Sequence, residues 1–373
     1  MTRALIAMSG GVDSSVAALL MKKRGYECIG VTMKLYDNGE IGVSNDHTCC
    51  SLEDVADARD VAARLGMPYY VYNFAGRFKE EVIGRFVDAY LAGRTPNPCI
   101  DCNRYLKFGE LFAKARDLGC DYVVTGHYAR NVYDEKSGRY LLKKGLDPEK
   151  DQSYVLYSMT QEQLAHVQFP LGGLNKTETR ALAAEAGLGN AQKHESQDIC
   201  FVPDGKYADF IERFTGRKSP EGDFVDAEGN VLGRHKGIIR YTIGQRKHLG
   251  IALQKPAYVC RLNPEDNTVV LGSNEDLFVK ELTASDVNFI PFDKLETPLE
   301  VTARVRYHQK EKPAVVYPLE NGRIRLEFKE PQRAVTPGQA VVMYSEDTVI
   351  GGGIIEEGAD DSSRCRFVTR VIR

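Results

Sequence analysis

The stretch Ser9-Gly10-Gly11-Val12-Asp13-Ser14-Ser15 decides how the first half of the chain is interpreted. It directly follows the apolar run Ala4–Met8 and precedes a helical pattern, which predicts a tight turn between a buried strand and a helix. Adjacent glycines let the backbone turn with φ > 0, so that N–H groups there and at the helix start converge and attract an anion. We therefore expect a phosphate site, with neutral donors from the serines and with Asp13 either holding a Mg²⁺ ion or capping the helix.

The same turn also has a plain structural interpretation. Two glycines followed by Asp-Ser-Ser form a tight strand-to-helix connection even without a ligand, with Asp13 or Ser14 as the N-cap. One class of nucleotide loop is excluded, because no lysine follows the glycines as the GxxxxGK[ST] pattern requires.

Strand and helix patterns alternate after this turn. We predict strands at residues 4–8, 28–33, 69–74 and 121–125, and helices at residues 14–23, 52–65, 78–91 and 106–118. A glycine stands just past each of these helices, where it is the expected C-terminal stop. This alternation predicts an α/β fold, a doubly wound parallel sheet with helices on both faces and ligands at the carboxyl ends of the strands.

The pattern changes in the second half of the chain. After about Val202, glycines punctuate short strands, which suggests a small central domain. From about Leu282 onward only strands and turns are indicated, as expected for a C-terminal β-barrel. A chain of 373 residues suits two or three domains, and we expect them at residues 1–205, 206–280 and 281–373.

Composition limits the class of protein. A hydrophobic fraction of 43% and a charged fraction of 27%, with no apolar run of membrane-spanning length and no signal peptide, predict a cytosolic globular protein without a membrane partner. The nine cysteines are then not expected to form a disulfide framework, and any conspicuous spacing among them is better explained by catalysis or metal binding. The net charge of −3 argues against nucleic acid, but residues 231–261 contain seven cationic residues and no acid, which makes a local positive field.

Three cysteines stand in polar, motif-like surroundings. TPNPCIDCN, residues 95–103, contains Cys99 and Cys102, and Asn103 is a fair N-cap for the following helix. The helix dipole would then favour the thiolate of Cys102. Cys200 lies in the segment SQDICF, residues 196–201. These thiols are candidates for catalysis, and half-buried structural thiols are the alternative.

Zinc offers another interpretation of the same cysteines. A structural zinc site made by Cys99, Cys102 and Cys200 would need a fourth ligand, for which His127 or His194 is available.

The motifs together resemble known families. SGGxDS after a first buried strand resembles the pyrophosphate-binding loop of the PP-loop ATPases, which cleave ATP between the α and β phosphates. Over essentially the whole chain, the sequence resembles the bacterial MnmA family of tRNA-specific 2-thiouridylases, which act on the wobble uridine. Besides SGGVDSS and the segment from TPNPC to KF (95–108), the resemblance rests on TGHYA (125–129), KDQSYVLY (150–157), SQDICF (196–201), YTIGQRKHLG (241–250), Arg304–His308 and Pro337-Gly338-Gln339.

The resemblance implies a nucleotide site and a reaction. Met33 would pack on adenine, Gly126 would let the nucleotide approach closely, and Mg²⁺ would neutralise the triphosphate. The uridine O2 would attack the α-phosphate of ATP and release pyrophosphate. The ATP phosphates would lie on Ala7, Met8, Ser9, Gly10, Gly11, Val12, Asp13 and Ser14.

The resemblance also assigns roles to the thiols. Cys200 matches the family's persulfide carrier, which delivers sulfur to C2 of the base as AMP leaves. Cys102 matches the other catalytic cysteine, which releases the sulfur and leaves a disulfide with Cys200, or helps expel the sulfur as hydrosulfide. A sulfur donor protein, either a cysteine desulfurase or a relay protein, is the implied partner.

One position departs from the family pattern. Many members have Asp where this chain has Cys99, and that Asp has been considered the catalytic acid or base. Asp101 is a candidate substitute, unless no carboxylate is needed. Alternatively, Cys99, Cys102 and Cys200 could hold three irons of a [4Fe–4S] cluster, since cluster ligation requires soft thiolates.

The implied macromolecular partner is the anticodon stem-loop of tRNA. A base that reacts in a buried site must leave its stack. Cations alternate along residues 302–310, which favours phosphate contacts, with an ordinary solvated strand face as the alternative. The positions that align with tRNA contacts are Asn97, Pro98, Cys99, His127, Lys150, Asp151, Gln152, Arg306, Tyr307 and Gln339.

Two rival functions remain open from the sequence. Another adenylating PP-loop enzyme, such as an amidating ligase or a lysidine-forming tRNA enzyme, would need no paired cysteines. A noncatalytic, zinc-stabilised tRNA-binding module would need no ATP.

Overall fold

A computed structural model describes residues 1–36, 52–191, 193, 199–253 and 255–358. Within these residues the strands form a parallel sheet, a smaller central sheet and a barrel. No described helix is both long and apolar enough to cross a membrane. The residues His194 and Ser196 to Asp198, part of the motif before Cys200, lie outside the described residues.

The parallel sheet forms because its strands are buried on both faces. Ala4, Leu5 and Ile6 of the central strand have no exposed surface. The strand order is β3-β2-β1-β4-β7 with parallel pairing throughout, which confirms the predicted α/β class. The strands are β1 Arg3–Ala7, β2 Glu27–Lys34, β3 Tyr69–Asn73, β4 Tyr122–Val124 and β7 Val167–Gln168.

Helices cover this sheet and extend into the central region. The helix Lys176–Glu185 begins after Asn175, whose side chain forms a capping box with Glu178. The helices are α1 Val12–Lys23, α2 Leu52–Arg64, α3 Ala75–Phe78, α4 Arg85–Leu91, α5 Pro98–Asp101, α6 Leu111–Asp117, α7 Gln161–Ala165, α8 Lys176–Glu185 and α9 Tyr207–Thr215. Two π-helical segments, Lys79–Gly84 and Cys102–Glu110, join α3 to α4 and α5 to α6.

The helix that carries the cysteines begins earlier than predicted. Its first residue is Pro98, and the Asn97 side chain accepts a hydrogen bond from the Cys99 N–H at 3.1 Å. Proline is well suited to the first helical position because its missing N–H is not needed there. The expectation that Asn103 caps the helix is therefore wrong, because Asn103 is buried inside it and its amide donates to the Val155 carbonyl.

The second half of the chain forms the expected small sheet and barrel. The central sheet has the order β10-β11-β8-β9, and among the described residues six antiparallel strands close the barrel in the order β12-β15-β14-β13-β16-β17. The central strands are β8 Gly222–Val225, β9 Val231–His235, β10 Tyr258–Asn263 and β11 Thr268–Gly272. The barrel strands are β12 Phe278–Phe289, β13 Leu299–Arg304, β14 Lys312–Pro318, β15 Ile324–Arg333, β16 Ala340–Ser345 and β17 Thr348–Gly358.

A hairpin joins the parallel sheet to the barrel. Its strands, β5 Ala129–Asp134 and β6 Arg139–Lys144, extend the barrel sheet through the pairing of Lys143 with Thr348 of β17. Apolar packing joins the parallel-sheet region to the central region. Phe201 packs against Phe86 of α4 and Phe210 of α9, with ring centroids 5.2 and 5.3 Å apart. The parallel sheet therefore shares one buried cluster with the central sheet and another with the hairpin and the barrel.

Candidate active site

A cavity of about 430 Å³ opens at the carboxyl edge of β1, β2 and β4. The turn after β1, the end of β2 and the start of α5 contribute to its wall, together with the chain around Cys200. The sequence-predicted residues that line it are Ala7, Met8, Ser9, Gly11, Val12, Asp13, Ser14, Met33, Pro98, Cys99, Cys102, Gly126, His127, Gln152 and Cys200.

The turn after β1 has the tight geometry that its glycines predict, but only one of them uses a left-handed conformation. Gly10 has φ of +77°, and a Cβ there would overlap the backbone of Asp54. Gly11 has φ of −83° and stands at the N-cap of α1, so the expectation of φ > 0 is wrong for the second glycine. The Ser14 and Ser15 hydroxyls both donate to the Gly11 carbonyl at 3.0 Å, so they brace the turn.

Asp13 is held by groups from distant parts of the chain. Both its carboxylate oxygens accept hydrogen bonds from the Lys176 ammonium, at 2.8 and 2.9 Å, and one also accepts from the Tyr128 hydroxyl at 2.9 Å. No side-chain hydrogen bond caps α1, so Asp13 does not serve as the expected cap. Its carboxylate anchors the turn to α8, since Lys176 is the first residue of that helix.

Two further polar groups brace the other side of the turn. The Asn190 amide donates to the Gly10 carbonyl and to the Ser15 hydroxyl, both at 2.8 Å, and is itself buried. Lys193 lines the cavity and donates to Asp54 at 2.7 Å. Sequence reasoning missed Lys176, Asn190 and Lys193, because they follow the turn by more than 160 residues and belong to no motif of their own.

Gly126, predicted to lie near the nucleotide, packs against the turn itself. A Cβ on Gly126 would lie 2.8 Å from backbone atoms of Asp13 and Ser14. Glycine is therefore needed at this strand end because the phosphate turn packs directly against it. Met33, at the end of β2, lines the cavity beside Leu35, which offers an apolar wall.

The three cysteines of the sequence analysis line this one cavity. Cys102 and Cys200 are half-buried and Cys99 is exposed. Cys200 is positioned by its neighbours, since the Tyr36 hydroxyl donates to its carbonyl at 2.9 Å and Phe201 is almost completely buried. The fold thus brings Cys200 to the same wall as Cys102, although 98 residue positions separate them in the sequence.

The placement of these thiols bears on whether the cavity can hold a metal ion or a cluster. Within the described residues, no group of three or more His, Cys, Asp or Glu side chains is placed to hold a metal ion. The thiols therefore do not form a ready ligand set in this conformation, and His194, one candidate zinc ligand, lies outside the described residues.

Asp101 lies outside the cavity lining, unlike Cys99. Burial raises the pKa of Asp101 to about 7, and the nearby guanidinium groups of Arg85 and Arg104 oppose that rise. Arg104 in turn forms an ion pair with Asp286 of β12. Asp101 therefore lies on the cysteine helix, close to the arginine that pairs with the barrel.

His127 is a buried, neutral ring in the cavity wall. Desolvation lowers its pKa well below the usual range, and the Lys107 charge adds to the effect. The Lys107 ammonium lies 3.5 Å from Nε2, and Nδ1 lies 2.7 Å from the Thr125 hydroxyl. Because an ammonium can only donate, Nε2 is the acceptor and Nδ1 carries the proton.

Several residues predicted to contact tRNA make internal hydrogen bonds. The Gln339 amide donates to the carbonyls of Thr95 and Pro96, at 2.8 and 3.3 Å. One guanidinium nitrogen of Arg306 donates to the carbonyls of Ile243 and Ala334 and to a threonine hydroxyl. These side chains tie the barrel to the cysteine loop and to the YTIGQRKHLG segment.

The segment Lys150-Asp151-Gln152 is also held by hydrogen bonds within the protein. Asp151 is buried and pairs with Arg304 at 3.1 Å, and the Tyr307 hydroxyl donates to its carbonyl at 3.4 Å. β13 ends at Arg304, so the predicted single strand face for residues 302–310 covers only its first part. Lys150 precedes this anchored segment and Gln152 reaches the cavity.

Family models match most of the chain. Residues 2–204 match the model described as "tRNA methyl transferase HUP domain", residues 208–273 the "tRNA methyl transferase PRC-barrel domain" and residues 279–355 the "Aminomethyltransferase beta-barrel domain". A solved 4-thiouridine synthetase in complex with RNA and bound ATP is 24% identical, with a TM-score of 0.37, over 58% of this chain and 54% of its own.

Curated relatives match over nearly their full length. The tRNA-specific 2-thiouridylase MnmA of Clostridioides difficile (strain 630) is 54% identical over 95% of this chain and 98% of its own. That of Acetivibrio thermocellus is 55% identical over 95% and 99%, and that of Moorella thermoacetica is 55% identical over the same shares. With this identity over the whole fold, the chain belongs to the MnmA family of tRNA-specific 2-thiouridylases.

Proposed function

We propose that the protein converts the wobble uridine of tRNA to 2-thiouridine in an ATP-dependent reaction. The observation that carries the proposal is the shared cavity, because a glycine turn suited to phosphate and the thiols of Cys102 and Cys200 line the same space. The family to which the chain belongs supports the same activity.

The first half of the reaction is adenylation. The ATP phosphates would lie on residues 7–14 and the adenine beside Met33, which lines the cavity. Mg²⁺ on the phosphates would reduce their charge. Lys193 lines the same wall, where its ammonium pairs with Asp54 and Asp57. The uridine O2 forms a bond to the α-phosphorus, and the bond from that phosphorus to pyrophosphate breaks.

The second half is sulfur transfer. A sulfur donor protein, a cysteine desulfurase or a relay protein, loads a persulfide on Cys200. Its terminal sulfur bonds to C2 of the base, and AMP leaves. The Cys102 thiolate then attacks the Cys200 sulfur, which forms a disulfide and frees the 2-thiouridine, so each cycle requires a thiol reductant.

The tRNA enters beside the start of the cysteine helix. Pro98, Cys99, His127 and Gln152 line the cavity and are positioned to surround an extruded base. The buried hydrogen bonds of Arg306 and Gln339 support a role in holding the cavity wall rather than in binding phosphates.

Separate Cys102→Ser and Cys200→Ser variants test this function. We expect each to lose tRNA thiolation by at least about 10³-fold while ATP binding persists, because each thiol has a unique step. Cys260→Ser, at a half-buried cysteine outside the cavity, is the matched control. Thiolation that survives both active-site changes would favour another adenylating enzyme instead.

Two measurements separate the remaining alternatives. Formation of AMP from ATP that depends on tRNA distinguishes an enzyme from a noncatalytic zinc-stabilised tRNA-binding module. Iron, sulfide and zinc analysis after anaerobic purification decides between persulfide chemistry and a [4Fe–4S] cluster on Cys99, Cys102 and Cys200.

A further inference from the structure

Lys107 is a cation in the cavity to which neither the sequence analysis nor the proposed steps assign a role. It lines the cavity together with Cys102, Gly126 and His127. Within the described residues, its ammonium forms no ion pair with a carboxylate, and its recorded hydrogen-bond partner is the His127 ring at 3.5 Å. Other cations near the phosphate turn, Lys176 and Lys193, are paired with carboxylates.

The π-helical segment explains why Lys107 and Cys102 line the same space. Five residues along an α-helix advance by about 500°, which would leave the two side chains about 140° apart. The i→i+5 bonding over Cys102–Glu110 instead brings residue i+5 close to residue i along the axis. A Cβ on Gly109 would lie only 3.2 Å from the carbonyl oxygen of Arg104, five residues earlier, which illustrates this proximity.

The surroundings of Lys107 direct its charge into the cavity. His127 is neutral and buried, it is fixed by the Thr125 hydroxyl, and its ring packs at 6.1 and 6.0 Å from the rings of Phe108 and Phe169. A neutral acceptor on an apolar wall orients the ammonium without neutralising it. An uncompensated cation in a sheltered cavity stabilises negative charge far better than one in water.

We propose that Lys107 is a further catalytic residue, whose ammonium contacts the reacting uracil and stabilises the negative charge that develops on it during adenylation. This inference rests on the proposed function. In that step the O2 to α-phosphorus bond forms, the bond to pyrophosphate breaks, and pyrophosphate takes the electron pair. The N3 proton of uracil passes to water, so charge shared by N3 and O2 builds up where the ammonium lies.

The test isolates adenylation by using Cys200→Ser as the parent, in which sulfur transfer is blocked. Single-turnover release of pyrophosphate is measured with ATP and an anticodon stem-loop RNA. We expect Lys107→Met to slow release by about 10² to 10³-fold, the usual cost of removing one charge-stabilising donor, while the Kd for RNA changes by less than about threefold. Lys107→Arg should restore release to within about tenfold of the parent.

A substituted RNA distinguishes catalysis from a structural role. 5-Fluorouridine at the target position is more acidic at N3 than uridine. It should therefore raise the rate of pyrophosphate release by Lys107→Met at least about tenfold, and change the rate of the parent by less than about threefold. Lys114→Met is the matched control, because Lys114 lies on α6 outside the cavity and pairs with Asp117. Its rate of pyrophosphate release should equal that of the parent.

A result that contradicts the role of Lys107 differs from one that contradicts the proposed function. An unchanged rate in Lys107→Met, or a loss that 5-fluorouridine does not recover, overturns the role of Lys107 while the parent still supports the proposed function. Absence of RNA-dependent pyrophosphate release in the parent itself contradicts the proposed adenylation.

Discussion

The two sides of the cavity are built in different ways. On the phosphate side, one continuous turn is held by Lys176 and Asn190, which lie in the same parallel-sheet region. On the cysteine side, the loop before α5 is held by the barrel, because the Thr95 N–H donates to the Pro337 carbonyl at 2.9 Å and Gln339 donates to the same loop. The phosphate side is thus independent of the barrel, whereas the cysteine side depends on it.

This difference implies that nucleotide binding and sulfur transfer can be impaired separately. A change in the braces of the phosphate turn should affect ATP first. A change in the barrel turn should affect the thiols first, because the phosphate turn has its own anchors.

The largest effect is expected from Gly10→Ala. The added Cβ would overlap the Asp54 backbone, and φ of +77° is unfavourable for alanine, so the turn must move. We expect ATP binding to weaken by at least about 100-fold, measured by calorimetry. Gly25→Ala, which has a similar φ but open space around the Cβ position, is the control. Equal ATP binding in both variants would contradict a steric requirement at the turn.

Lys176→Met should be the next most damaging change. It leaves the Asp13 carboxylate without its ammonium partner in a partly buried setting, at a cost of roughly 3 kcal/mol in the free energy of unfolding. Urea denaturation measures this cost, and the double variant with Asp13→Asn should recover part of it. ATP binding should weaken in the single variant, and an unchanged unfolding free energy would show that the pair does not brace the turn.

Gln339→Ala tests the cysteine side. Loss of the hydrogen bonds to Thr95 and Pro96 should loosen the loop before Cys99, and we expect thiolation to fall by about tenfold with ATP binding unchanged. Gln309→Ala, in the same barrel and bonded to Gln332, is the control. A fall in RNA affinity without a fall in the rate at saturating RNA would instead favour the predicted tRNA contact.

Asp101→Asn should have the smallest effect on activity and a clear effect on stability. Because burial raises the pKa of Asp101 to about 7, the folded state retains a proton that the unfolded chain loses above about pH 4. Wild-type stability should therefore decline between about pH 4 and 7, by no more than about 1.4 kcal/mol per pH unit from this group. The variant should lack this decline, measured as unfolding free energy at several pH values.

The local sequence pattern was sufficient to predict much of the fold. The apolar run before Ser9, the glycines after the helices and the strand-only pattern after Leu282 reflect contiguous residues, so the α/β sheet and the barrel could be predicted. The start of the cysteine helix could not be placed correctly, because Asn97 and Asn103 are both acceptable caps and tertiary burial of Asn103 selects the first.

The candidate site was only partly predictable for a related reason. Cys102 and Cys200 were recognised from their motifs, and the fold places both in one cavity. The positively charged residues of motifs were assigned to tRNA, yet the Arg306 guanidinium bonds to backbone carbonyls inside the protein. A sequence shows that an arginine is present but not whether packing has already supplied its acceptors.

By itself, the sequence determined the strand, turn and helix that open the chain, the cysteine motifs and the family resemblance, because these depend on neighbouring residues. Only the tertiary structure decided that Lys176 reaches Asp13, that Gln339 holds the cysteine loop and that Lys107 and Cys102, on one π-helical segment, line the same cavity. Partners separated by many residues are chosen by packing, which weighs burial and hydrogen bonding over the whole molecule, and no local pattern encodes that choice.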